Sequence, residues 1–140
     1  MKESLKPGLK HQHSFVVPRT KTVAALYPES ERFQEMPEVF ATGFMVGLLE
    51  WACLELALPH LDWPAEQTVG THIDVSHEAA TPPGMRVTVN AELIESGARY
   101  RVGAGDSRSG QRGTAIGVIS LRHSAGYEIV LQLKRSVLTH

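Results

Sequence analysis

The sequence predicts an α+β domain in which one long apolar helix is covered by an antiparallel sheet. Nearly every position between Pro37 and Pro59 is apolar or small. Because proline is tolerated at a helix start but breaks its interior, the two prolines bracket a helix. After Pro59, runs of alternating apolar and polar residues are separated by turn signals, which is typical of strands. The 140 residues suit a single domain over 1–140, with residues 1–12 as a flexible tail.

The predicted sheet has about five to six strands. One strand, residues 14–17, precedes the helix, and the others are expected at 68–79, 85–94, 98–104, 111–121 and 127–133. A helix that is apolar on all sides must be buried, and a strongly curved sheet wrapped around it provides most of that cover. This is the hotdog arrangement. Since one such sheet leaves edges and part of the helix exposed, we expect a homodimer.

Charge and cysteine content exclude several classes of protein. Fourteen basic and fifteen acidic residues give a net charge of −1, so no strong field draws the chain to nucleic acid or to an anionic membrane. The single cysteine, Cys53, excludes an intramolecular disulfide and suits a reducing cytoplasm. Residues 1–13 lack the apolar core of a signal peptide. Glu50 and Glu55 interrupt the apolar helix, which argues against a membrane span, so we expect a cytoplasmic protein.

Glu50 is the first candidate functional residue because it lies in the middle of the apolar helix. An unpaired buried carboxylate is costly, so it should be paired, protonated or in a wet cavity. At about 100° per residue, the side chains on the Glu50 side of the helix are mostly small, which predicts a groove there. These residues are Gly43, Val46, Gly47, Cys53, Leu54 and Ala57. Glu50 is either a catalytic carboxylate in an apolar cleft or a structural one paired with a core histidine or arginine.

His77 is the second candidate. Alternation along residues 68–79 gives one apolar face, which should meet the helix. Its members are Thr71, Ile73, Val75, His77 and Ala79. A core histidine is more often structural than catalytic. Here, however, a carboxylate lies on the element that this face packs against, and an imidazole and a carboxylate in one cleft can do acid/base or nucleophilic work.

Thr42 is the third candidate, at the start of the helix as an N-cap or a first-turn residue. Backbone N–H groups there carry the positive end of the helix dipole and suit a carbonyl oxygen that becomes an oxyanion. If residues 42–50 are all helical, Thr42 and Glu50 are about 12 Å apart along the axis. Either Thr42 lies in a turn that folds back, or the two residues flank a bound ligand.

Other signatures are weak. No dinucleotide-binding glycine motif, P-loop, Cys-x-x-Cys or His-Glu-x-x-His is present. His11 and His13 are spaced like metal ligands but fall in or beside the expected tail, so we expect neither a metal nor a cofactor. The polar segment 27–36 carries Phe33 and Met36 as isolated apolar residues. It is either a lid over the Glu50 groove or a surface loop.

Three stretches resemble the fluoroacetyl-CoA thioesterase family. They are residues 26–30 (LYPES), 37–53 (PEVFATGFMVGLLEWAC) and 79–84 (AATPPG). The similarity extends from about Phe15 to Leu121 and is most specific along the helix. It implies a dimeric hotdog enzyme that hydrolyses a short-chain acyl-CoA thioester without metal or organic cofactor.

The resemblance also implies roles for particular residues. A catalytic set of Thr, Glu and His falls on Thr42, Glu50 and His77. Acyl-pocket and lid contacts fall on Val23, Phe33, Met36 and Leu54, and a backbone contact falls on Gly70. With Gly43 from the groove, these residues form the expected substrate-binding set.

The chain departs from the family pattern at three positions. Met36 stands where the pattern has phenylalanine, Leu54 is larger than usual, and Gly117 falls where the pattern has a strand arginine. Hydrolysis of a thioester stays the expected activity, while selectivity for a fluorinated acyl group is expected to weaken. Two other functions remain open: a hotdog hydratase acting on enoyl-CoA, and a non-catalytic acyl-CoA-binding protein. Glu50 and His77 weigh against the second, because a binder of an uncharged acyl group does not need them.

Overall fold

The computed structural model describes residues 2–77, 79–97, 115–123 and 128–139. Three α-helices and five strands lie in these ranges. In chain order they are β1 (Lys10–Val16), α1 (Val23–Leu26), α2 (Glu31–Gln34), α3 (Thr42–Ala57), β2 (Thr68–His77), β3 (Arg86–Gly97), β4 (Ala115–His123) and β5 (Glu128–Thr139). Short 3-10 turns at Arg19–Lys21 and Leu58–His60 precede α1 and follow α3.

The described strands form one antiparallel sheet in the order β1-β3-β5-β4-β2, so β1 and β2 are its edges. A long helix with an antiparallel sheet is the α+β layout that the sequence predicts. The predicted strand at 98–104 lies outside the described residues, as do residues 111–114 and 127 of two other predicted strands.

The core lies between α3 and the inner face of the sheet. Alternate residues of β3 are buried as the period of two predicts: Val87, Val89, Ala91 and Leu93. From α3 they meet Met45, Leu48, Leu49, Ala52, Cys53, Leu56 and Ala57. By length and apolar composition, the stretch Thr42–His60 meets the criteria for a membrane-spanning helix. The core helix of a soluble protein meets the same criteria.

Helix α3 begins at Thr42, five residues later than the proline bracket predicts. The preceding segment is held by contacts with distant parts of the chain. Phe40 forms an isolated β-bridge with Thr22, and its N–H donates to the carbonyl of Thr81 at 2.8 Å. These bonds keep the backbone extended up to Ala41, which is the N-cap. At the other end, Pro59 lies in the 3-10 turn that follows the helix.

The N-terminal segment differs from the tail expected over residues 1–12. Strand β1 already begins at Lys10, and the Leu5 side chain is 4% exposed in the core. The Gly8 N–H donates to the Leu93 carbonyl at 2.7 Å, and the Leu93 N–H donates to the Leu9 carbonyl. Burial of Leu5 and hydrogen bonds to β3 therefore order a segment whose composition is mainly polar.

A β-bulge in β2 sets which of its residues face the helix. The pairing with β4 shifts register between Gly70 and His72, so Thr71 is the extra residue. Gly70 and His77 are an odd number of residues apart and would face opposite sides of a regular strand. With the bulge, both reach α3, and Val75 packs against the core as predicted.

Two adjacent valines test the position of the core. Val17 is 1% exposed and Val16 is 47% exposed. We expect Val17→Ala to lower the free energy of unfolding by about 2 kcal/mol, because it leaves a cavity between sheet and helix. Val16→Ala is the matched control and should change it by less than about 0.5 kcal/mol. Urea denaturation of the two variants measures the difference, and equal losses would contradict this placement of the core.

Candidate active site

Thr42 and His77 form the first of two polar pairs between α3 and β2. Thr42 is the first residue of the helix and His77 the last residue of the strand. Their Oγ1 and Nδ1 atoms are 2.8 Å apart, which is a hydrogen bond. Thr42 was predicted as either an N-cap or a first-turn residue, and it lies in the first turn. The Thr42 hydroxyl bonds the His77 imidazole and does not cap the helix.

The start of α3 is electropositive. Its N-cap is Ala41, which has no side-chain oxygen for the first-turn N–H groups, and no acidic residue lies in the first turn. The Lys21 ammonium lies 4.5 Å from the centre of the Phe44 ring in that turn. The helix dipole and this cation both favour negative charge beside Thr42.

The environment of His77 favours its neutral form. Burial lowers the pKa of His77 below the ordinary value of 6.5, while a backbone hydrogen bond with Ala79 opposes this shift. Its Nε2 atom is buried without a hydrogen-bond partner among the described residues. A neutral imidazole with one ring nitrogen on a hydroxyl is suited to orienting that hydroxyl or to accepting a proton.

Glu50 and Gly70 form the second pair. The Gly70 N–H donates to Glu50 Oε1 at 2.9 Å. A Cβ atom on residue 70 would lie 2.7 Å from the same oxygen, so a side chain there would push the carboxylate out of this position. The structural interpretation of Glu50 requires a core histidine or arginine partner, whereas its hydrogen bond in the described structure comes from a backbone amide.

The predicted groove beside Glu50 is present as an open cavity of about 280 Å³. It is lined by Gly47, Glu50, Trp51, Leu54 and Thr68. Two residues expected in the groove, Cys53 and Ala57, are instead 0% exposed in the core. Burial, with a smaller effect of the Glu50 charge, raises the pKa of Cys53 to about 12, so its thiol stays protonated.

The two polar pairs lie at different levels of α3. Thr42 and Glu50 belong to one continuous helix, so they are about 12 Å apart along its axis. Among the described residues, Thr42 is hydrogen-bonded to His77, and neither of them is hydrogen-bonded to Glu50. The alternative in which Thr42 folds back toward Glu50 is wrong, because Thr42 is helical.

Three of the expected lid and pocket residues precede α3 in the chain. Val23 is buried in α1, and Phe33 of α2 packs edge-on against Tyr27 with ring centres 5.5 Å apart. Met36 is exposed. The space that a side chain on Gly43 would occupy is filled by Leu26, which lies 3.0 Å away. Of the expected substrate-binding residues, only Leu54 lines the Glu50 cavity.

Of the residues that line the cavity with Glu50, the sequence predicts Gly47 and Leu54 but not Trp51 and Thr68. Gly47 was placed on the correct side of the helix by its 3.6-residue period. Trp51 was missed because it follows Glu50 directly, and Thr68 was missed because the Thr71 bulge changes the strand's alternation. The bulge has no distinctive sequence signal.

Comparison with known proteins identifies the family. A family model described as fluoroacetyl-CoA-specific thioesterase matches residues 20–105. The fluoroacetyl-CoA thioesterase of Streptantibioticus cattleyicolor is 55% identical over 109 residues, which cover 76% of this chain and 78% of that protein. The chain belongs to the fluoroacetyl-CoA-specific thioesterase family. The protein is therefore an acyl-CoA thioester hydrolase, which confirms the predicted enzyme class.

Solved structures agree with this thioesterase assignment. A fluoroacetyl-CoA thioesterase with a threonine-to-alanine substitution, in complex with fluoroacetate, superposes with a TM-score of 0.66 at 39% identity and covers 94% of this chain and 90% of that one. A phenylalanine-to-alanine variant in complex with fluoroacetate and CoA gives 0.63 at 42% identity, covering 97% and 96%. A Thermus thermophilus thioesterase superfamily member shares the fold at 21% identity, with a TM-score of 0.56 over 95% and 84%. The predicted hotdog fold is confirmed.

The pKa of His77 predicts how activity depends on pH. Since the folded-state pKa lies below 6.5, neutral His77 predominates at pH 7 and is lost as the pH falls through that pKa. We expect kcat/KM of the thioesterase to be level above about pH 6.5 and to fall below it, because a proton on Nε2 finds no acceptor among the described residues and places an uncompensated buried charge beside Thr42. His77→Gln should remove this acid limb from the residual rate, whereas His60→Gln, at the far end of α3, should keep it. By the same linkage, the contribution of His77 to stability is present above 6.5 and lost on acidification.

NMR titration of the His77 ring measures its pKa independently of turnover. A value at or above 6.5, or an acid limb that survives in His77→Gln, would contradict the role of the neutral imidazole.

Proposed function

We propose that this thioesterase hydrolyses short-chain acyl-CoA thioesters of the fluoroacetyl-CoA kind to the free acid and CoA. Thr42, Glu50 and His77 are its catalytic residues, and it needs no metal or organic cofactor. The observation that carries the proposal is the placement of Glu50: a carboxylate held by a backbone amide at the wall of an open cavity. A 55% identical relative named for fluoroacetyl-CoA supports the substrate class.

Glu50 supplies the hydrolytic group. With Oε1 held by Gly70, the carboxylate is oriented toward the cavity and either activates a water or attacks the thioester carbon itself. In the first route water gives its oxygen to the acyl carbon and a proton to Glu50. The carbon–sulfur bond then breaks, and the CoA thiolate leaves and takes up a proton.

Thr42 and His77 hold the thioester carbonyl. In the tautomer that fits this role, His77 Nδ1–H donates to Thr42 Oγ1, so the hydroxyl hydrogen is free to bond the carbonyl oxygen. The N–H groups of the first turn of α3 add the positive end of the helix dipole at the same place. Both groups stabilise the negative charge that develops on that oxygen.

A second copy of the chain completes the site. Groups that act on one carbonyl must each lie about 3 Å from the reacting atoms, whereas Thr42 and Glu50 of one protomer are about 12 Å apart. Edge strand β2 carries exposed Val69 and Ile73, and α3 carries exposed Trp51 beside the cavity. Burial of this apolar surface in a twofold cytoplasmic homodimer brings Thr42 and His77 of one protomer to Glu50 of the partner subunit.

Thiol release tests the reaction. We expect turnover of fluoroacetyl-, acetyl- and propionyl-CoA, with Glu50→Gln at least about a hundredfold slower, the lower end for loss of a general base. Glu55→Gln is the matched control on the same helix, because glutamine keeps an acceptor for the Trp51 indole that Glu55 bonds at 3.0 Å. Hydration of crotonyl-CoA without thiol release would instead establish a hydratase. Binding of acyl-CoA without turnover would establish a binding protein.

Subunit complementation tests the composite site. Thr42→Ala and Glu50→Gln homodimers should both be inactive, but a heterodimer of the two contains one site with both residues intact. Random exchange at equal concentrations should therefore restore about a quarter of wild-type activity, since half the dimers are mixed and each has one working site. A site built within one protomer would give no recovery. Light scattering that finds a folded, active monomer would also refute the dimer.

A further inference from the structure

Gly47 is a glycine in the interior of α3 that no contact within the described protomer explains. A Cβ atom built on it meets nothing within 4 Å. The other two glycines near the site differ: a Cβ on Gly43 would touch Leu26 at 3.0 Å, and one on Gly70 would touch Glu50 at 2.7 Å. Glycine is less favourable than alanine in a helix interior. Glycine at position 47 therefore destabilises the helix, and no contact within the described part of the protomer requires it.

This space belongs to the same cavity as Glu50. Gly47 and Glu50 both line it, and they are three residues apart on α3. Side-chain positions three apart on a helix are neighbours, about 5–6 Å from each other. Trp51 and Leu54 are the other helix residues that line the cavity, and both are large. Gly47 is therefore the one place on the helix wall, among the described lining residues, where a ligand bound at Glu50 meets no side chain.

We propose that the acyl group of the substrate lies over Gly47 and that the missing side chain at this position sets the longest acyl group that the enzyme accepts. This inference rests on the proposed thioesterase site, because it takes Glu50 to act on the carbon to which the acyl chain is attached. At about 30 Å³ for each water-sized group, the cavity of about 280 Å³ exceeds what a two-carbon acyl group and its thioester need. A four-carbon acyl group with its thioester oxygen and sulfur needs about six such groups, so it also fits beside Glu50 on the same estimate.

Gly47→Ala tests this assignment by acyl length. We expect Gly47→Ala to lower kcat/KM for butyryl-CoA by at least about tenfold more than it lowers kcat/KM for acetyl-CoA, the effect of one methylene in an apolar pocket. Gly47→Val should extend the loss to propionyl-CoA. Since no atom of the described residues opposes the new Cβ, the melting temperature of Gly47→Ala should not fall. Equal losses for all esters, or no loss for butyryl-CoA, would overturn the assignment.

Binding separates this inference from the proposed reaction. Thioether analogues of CoA that keep the carbonyl but lack the scissile bond, with two-carbon and four-carbon acyl groups, are titrated calorimetrically into wild type and Gly47→Ala. If Gly47→Ala weakens binding of the four-carbon analogue but not of the two-carbon one, the acyl group lies over Gly47. This holds even if the wild-type protein releases no thiol, a result that would refute only the proposed hydrolysis.

The competing occupant of the space is the helix of a second copy. In that case Gly47→Ala would weaken the dimer, and sedimentation at micromolar concentration would show dissociation with losses that do not depend on acyl length. That result would overturn the assignment. A dimer of unchanged stability with length-dependent losses supports it.

Discussion

Helix α3 is apolar around its whole circumference, but the described strands of one protomer cover mainly one side of it. The covered side carries the core, from Met45 to Ala57. The uncovered side carries Gly47, Glu50 and Trp51 around an open cavity. The same property therefore stabilises the fold and leaves an apolar surface next to a carboxylate. An unsatisfied apolar surface of this kind favours association, and it borders the cavity of the proposed site.

Strand β2 runs antiparallel to α3 and contacts it at two levels. Gly70 meets Glu50 near the middle of the helix, and His77 meets Thr42 at its start. Both contacts depend on the bulge at Thr71, which brings residues of opposite parity to the same side of the strand. Because each contact joins an edge strand to the only long helix described here, the local geometry of β2 controls both halves of the proposed site.

Local patterns in the sequence predict much of this arrangement. The apolar run containing Glu50 predicts the central helix, and strict alternation predicts the buried face of β3. The features that were missed depend on contacts between distant residues. The bridge between Thr22 and Phe40 delays the start of α3, and burial of Leu5 orders the N-terminal segment. The sequence predicts that His77 faces the helix that carries Glu50. Only the coordinates show that His77 meets the start of this helix, about two turns away from Glu50, since helical rise and strand register must be combined.

The donor that fixes Glu50 is a main-chain N–H. Every residue type except proline supplies this group, so replacement of side chains one at a time leaves the donor in place. A replacement of Gly70 instead crowds the Glu50 carboxylate, because a Cβ atom at position 70 lies 2.7 Å from the carboxylate oxygen. The orientation of the carboxylate is thus encoded by the absence of atoms at one position. A side chain at position 70 would therefore move the Glu50 carboxylate away from this amide rather than remove the amide itself.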